Sequence, residues 1–215
     1  MIKMNKMMGI SLALILVAGS AMAGVTQTKR SSNTLKDTQN ELKAAYDQIT
    51  ATVGSLGTLM SAKEGDLRPM LKDFSAQIKR LDSDAARVRS RATKMQAQNK
   101  VYFQGWAQEI AAISNTAIKV QSQARLEETF VRYGAIEQGL IQIRNAYGPL
   151  MSGMKDLELA LNQDLSPAGV AVLQPSYAKP REQAVATQAA IQTTLKAIQV
   201  ALGGMTPKAS GSVVP

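Results

Sequence analysis

From Leu42 the apolar residues fall at Tyr46, Ile49, Val53, Leu56 and Met60, alternately four and three positions apart. That is a heptad seam, and it predicts a helix over 32–62. Gly54 and Gly57 weaken the run but keep its period. Lys63-Glu64-Gly65-Asp66 then reads as a tight turn, with Gly65 as helix stop and Asp66 as the next N-cap. A second run opens near Leu67, with Pro69 tolerated in its first turn. Leu71, Phe74, Ile78, Leu81, Ala85, Val88, Ala92 and Met95 repeat the spacing, Asn99 holds the same seam, and Tyr102, Trp106, Ile110 and Ile113 extend it. Ser114-Asn115 reads as a turn, or as a kink in one continuous helix.

The third run carries Leu126, Phe130, Tyr133, Leu140, Ile143, Tyr147, Leu150, Met154, Leu157 and Leu161, with Glu137 in the seam beside Ile136. Pro149 inside it removes a backbone donor and crowds the preceding turn, which predicts a kink. After a loop over 162–167, a last helix is predicted to about Leu202 through Leu173, Tyr177, Ala184, Ile191, Leu195 and Ile198. Pro175 and Pro180 should make its first turns irregular, and Gly203-Gly204 should end it. The expected fold is all-α: an elongated antiparallel coiled-coil four-helix bundle, or helical hairpins, because short loops make consecutive helices antiparallel neighbours. The division is a leader over 1–23, a linker over 24–31, the helical body over 32–203 and a disordered tail over 204–215.

Composition narrows the chemistry. The 215 residues include no cysteine and no histidine. Disulfides, thiol nucleophiles and thiolate metal sites are thereby excluded. The commonest general base and metal ligand is missing too, and di-iron bundles of the Glu-x-x-His type cannot be built. Glu127-Glu128 and Asp156/Glu158 are the nearest approach to acidic clusters, and residues so spaced do not face each other on a helix. The sequence therefore suggests no enzyme, no metal and no cofactor.

The first residues read as a secretory signal peptide. Lys3 and Lys6 give a positive start, Gly9 to Val17 an apolar stretch too short to span a bilayer, and Ala21-Met22-Ala23 a cleavage site before Gly24. No later segment is apolar enough to cross a membrane. The chain is expected to be exported, to a periplasm or beyond. Its formal charge is +9, and it stays basic when the two leader lysines are removed. Envelope proteins or anionic lipid headgroups are the expected partners rather than nucleic acid.

One local pattern stands out. Between Lys79 and Lys100 lie Arg80, Arg87, Arg89, Arg91 and Lys94 as well, against Asp82 and Asp84 only. Arg80, Arg87, Arg91 and Lys94 share one side of the helix and form a candidate anion-binding stripe. The plainer reading is a solvated flank whose long stems cover the core.

From Trp106 onward the chain resembles a family of exported bacterial proteins, domain-of-unknown-function family 2959. The matching residues are Trp106, Glu109, Ser114-Asn115, Leu126-x-x-Thr129-x-x-Arg132-Tyr133, Pro149, and then Leu161, Leu165, Val170 and Leu173. Two departures are Asn162-Gln163-Asp164, where relatives tend to carry Lys-His-Asn, and the absence of the lipoprotein cysteine of some relatives. The resemblance implies export and helical hairpins and no known activity. Three functions remain in view: a periplasmic scaffold or interaction protein, a holdase-like chaperone for envelope proteins, and a membrane-active helical bundle. The last is disfavoured because the apolar stretch Ala168 to Leu173 is far too short to span a bilayer.

Overall fold

The computed structural model describes residues 23–205. The leader over 1–22 and the tail beyond Met205 lie outside the described residues. Four helices follow one another: α1 (Ala23–Ser61), α2 (Arg68–Ala111), α3 (Thr116–Gln163) and α4 (Pro167–Met205). Their lengths of 39, 44, 48 and 39 residues correspond to rods of roughly 60–70 Å. Neighbours are α1 with α2, α2 with α3, α3 with α4, and α4 with α1. The helices run up and down in turn around a common core, so the antiparallel four-helix bundle is the form adopted.

The turns have local causes. Gly65 stands at φ 93, a left-handed conformation that side chains resist. Asp66 bonds the Arg68 amide at 3.0 Å, helping to start α2. Asn115 caps α3, its side chain accepting from the Ile118 amide at 3.1 Å. Ser114-Asn115 is therefore a turn between two helices.

The core follows the heptad, with a different phase on α1. Leu42, Ile49 and Leu56 are buried as expected, but their partners are Thr38, Ala45, Thr52 and Leu59, while Tyr46 and Val53 flank the seam half-buried. Threonine can sit there because its hydroxyl bonds the carbonyl one turn back: Thr38 to Thr34 at 2.9 Å, Thr52 to Gln48 at 2.7 Å. Thr187 and Thr194 repeat the device on α4. A hydropathy pattern passes over such residues.

Other differences concern boundaries. α1 starts at Ala23, so residues 24–31 are helix rather than linker, and Ser31 is buried against the Tyr133 hydroxyl at 2.6 Å. α4 continues through Gly203-Gly204 to Met205. α3 runs unbroken through Pro149, at an exposed position. Phe130, expected in the seam, is 48% exposed because the described part of α4 ends near its level.

α3 and α4 approach most closely at glycines. A Cβ at Gly139 would collide with the Thr194 hydroxyl and stand 3.1 Å from its Cβ; one at Gly153 would lie 2.9 Å from the Pro180 ring. The buried Pro180 therefore packs where α3 has no side chain. α1 and α2 are joined differently, by polar side chains: Gln48 to Gln77 at 2.8 Å, Ser55 to Asp73 at 2.5 Å, and Arg87 to Glu41 at 3.1 Å.

Candidate functional site

Among the described residues α2 and α3 outrun their neighbours. At the end where they join, the described part of α1 begins at Ala23, little more than one turn past Thr28, which is bonded to Tyr102. The described part of α4 ends with the Met205 sulfur 3.6 Å from the Tyr133 hydroxyl. Past these ends, among the described residues, α2 and the first turns of α3 continue as a two-helix tip, closed by Ala112 to Asn115.

Aromatic residues gather where four helices give way to two. Phe103 stacks edge-on against Phe130 and Tyr133, at 5.4 and 5.2 Å, and Tyr102 lies 5.6 Å from Trp106. The chain has only 9 aromatic residues, 1 Trp, 5 Tyr and 3 Phe, and five of them stand in this layer. Burial pushes the Tyr133 hydroxyl well above the usual tyrosine range, the Ser31 hydrogen bond opposing only part of it. Tyr102 is pushed up by burial as well, with Thr28 and Arg125 opposing. Trp106 is half-buried at the edge of this layer rather than enclosed.

The tip is also where apolar surface is bare. Ile118 and Val120 on the tip, and Val101, Phe130 and Val131 at the aromatic layer at its base, are each about half exposed or more; they are half of the large apolar residues exposed in this way among the described residues. Ile118 lies on the inward stripe of Leu126, Tyr133 and Ile136, at a level where the described parts of α1 and α4 no longer cover it. Loops of charge balance the tip: Lys119, Arg125 and Arg132 against Glu127 and Glu128, with Arg132 and Glu128 paired at 2.5 Å.

The candidate basic stripe lies along the α1 side of α2. Arg87 is shared between Glu41 and Asp84, and Arg91 reaches Asp37 at 3.3 Å and Glu41 at 3.6 Å. Half of the stripe thus ties α2 to α1. Arg80 and Lys94 are exposed and, among the described residues, form no ion pair. Asp73 is held below the usual carboxylate range by its Ser55 hydrogen bond and then by Gln77, with Arg80 adding a smaller pull. The acidic anchors Asp37 and Glu41 were not legible as partners, since they lie two helical hairpin arms apart in sequence.

Among the described residues no group of three or more acidic, histidine or cysteine side chains stands together as a metal site. None of the described helices is long and apolar enough to cross a membrane.

The class is therefore an antiparallel four-helix bundle with an extended hairpin tip. The chain belongs to the family of proteins of unknown function DUF2959, whose model matches residues 20–203. The match covers α1 and α2 as well as the C-terminal half in which the resemblance was legible. No curated protein and no solved structure matches it.

Proposed function

We propose that this is an exported, non-catalytic interaction protein of the cell envelope that docks a partner protein on its α2–α3 tip. The carrying observation is the bare apolar side chains of Ile118 and Val120 on the tip, continued at its base by Phe130 and Val131, at the end of a bundle whose seam residues are buried. Such a patch, rimmed by charges of both signs, is the usual mark of a protein contact. Export rests on the leader pattern; mass spectrometry of the secreted chain should find Gly24 at its start.

The test is site-specific photo-crosslinking in cells, with the probe at Val120 and, as control, at Val185 on the bundle wall. One discrete adduct from Val120, absent from Val185 and lost in Ile118→Asp/Val131→Asp, is the expected result. Equal adducts at both positions, or none, would overturn the assignment. A broad ladder of adducts, with suppression of aggregation of unfolded outer-membrane proteins, would replace it by the holdase-like reading.

A further inference from the structure

The middle of the bundle contains a cavity of about 300 Å³ to which all four helices contribute. Leu42, Ile49, Leu81, Val88, Leu140 and Ile191 give it apolar walls, and it opens outward between α2 and α3. Ala85 and Ala92, one heptad apart on α2, are the reason it exists: at those seam positions the side chain is too small to fill the space. The volume lies at the lower end of the range for small-molecule sites, enough for one slender apolar group.

The mouth is where the polar groups are. The Phe103–Phe130 contact sets the register between α2 and α3. One heptad down, Gln96 comes opposite Glu137; two heptads down, Arg89 comes opposite Arg144. All four line the opening. Arg89 and Arg144 thus stand at matching levels of α2 and α3 beside one end of an apolar cavity, and among the described residues neither has an ion-pair partner. Arg87, Arg91 and Arg132 find carboxylates on this bundle; two cations without one, at a shared opening, are suited to an anion. Arg89 and Tyr147 line the same cavity, and the Arg89 charge is felt at the Tyr147 hydroxyl. Glu137 sits at the opposite end of the mouth and would steer an anionic head toward the arginines.

We infer that this cavity binds a single-chain amphiphile with an anionic head, its acyl chain lying between the four helices and its carboxylate or phosphate held by Arg89 and Arg144. The inference does not depend on the tip: no cavity residue belongs to that surface. A fatty acid and a lysophospholipid share the required chemistry, and the experiment separates them.

Residues 24–215 would be titrated calorimetrically with dodecanoate, with a lysophosphatidylglycerol of equal chain length, and with dodecanol, all below their micelle concentrations. Both anions, or one of them, should bind at one site per chain, and dodecanol at least ten-fold more weakly. Whichever anion binds identifies the head that the arginines accept. Arg89→Gln/Arg144→Gln alters two exposed side chains and should leave the melting temperature within a few degrees while reducing anion affinity to near that of dodecanol. Ala92→Phe fills the cavity and should abolish binding of every probe without loss of helix content. Failure of both anions to bind would overturn the inference. So would binding that survives Ala92→Phe, or dodecanol binding as tightly as dodecanoate.

Discussion

Gly139 and Gly134 lie on the same helix, and replacing each by alanine should have opposite consequences. Both are helical, so the change removes conformational freedom from the unfolded chain and should stabilise by about 1 kcal/mol where space allows. At Gly134 nothing beyond its chain neighbours lies within 4 Å of the new methyl group. At Gly139 the methyl would meet the hydroxyl, Cβ and methyl of Thr194, a residue with no exposed surface. Forcing a methyl group into a packed contact costs about 1–3 kcal/mol. The two variants should therefore differ by about 1–3 kcal/mol. For a chain of this size that is a gap of roughly 2–12 °C in melting temperature. Urea unfolding followed by circular dichroism gives both free energies. Thr194→Ala should relieve part of the Gly139→Ala penalty, giving a coupling of about 1 kcal/mol in the double-mutant cycle. If Gly139→Ala stabilises as much as Gly134→Ala, or if Thr194→Ala gives no relief, the close approach of α3 to α4 is refuted.

Other outcomes follow from single groups. Asn99 is buried with neither side-chain atom hydrogen-bonded among the described residues; Asn99→Leu should raise stability by about 2 kcal/mol in thermal unfolding, since it removes an unsatisfied amide and adds apolar burial. Asn115→Ala removes the α3 cap and should cost about 1 kcal/mol, with faster amide exchange confined to the first turn of α3. Tyr147 is pushed above the usual tyrosine range by burial and then by the nearby Asp82 charge, with Arg89 opposing. The folded chain keeps that proton while the unfolded chain loses it near pH 10, so stability should fall as pH rises past about 10. Tyr147→Phe should flatten that fall in alkaline titrations; an unchanged slope would mean that Tyr147 is not protected.

The helices were legible because their apolar period survives glycine, proline and an isolated asparagine. Their phase on α1 was less so. Thr38 and Thr52 count as polar in a hydropathy pattern, yet each cancels its own hydroxyl against a carbonyl and packs as a small apolar residue. Gly203-Gly204 looks like a helix stop, but tertiary packing of Ala201 and Leu202 carries α4 past it. Phe130 fits the seam spacing and is bare because the described part of α4 ends near its level, a fact about a different part of the chain. The cationic stripe was visible on one helix. Its reduction to Arg80 and Lys94 depended on α1, whose Asp37 and Glu41 carry no such signal. The opposition of Arg89 and Arg144 was invisible for a related reason. It exists only once α2 and α3 are set in register, and the contact that sets it is a pair of phenylalanines two heptads away.

Gly139 with Thr194 and Gly153 with Pro180 stand two heptads apart on both helices. Each pair joins a residue without a side chain to one with a rigid side chain. They behave like two pegs in two holes on facing rulers. Moving α3 along α4 by one heptad would bring Leu173 or Thr187 against Gly153 and leave the Pro180 ring facing a side chain. The α3–α4 hairpin therefore resists sliding along its length, and a push on the tip reaches the far end as travel of both helices together. The α1–α2 hairpin shows no such glycine pairing among the described residues and is tied across its polar edge by side chains such as Gln48 and Gln77.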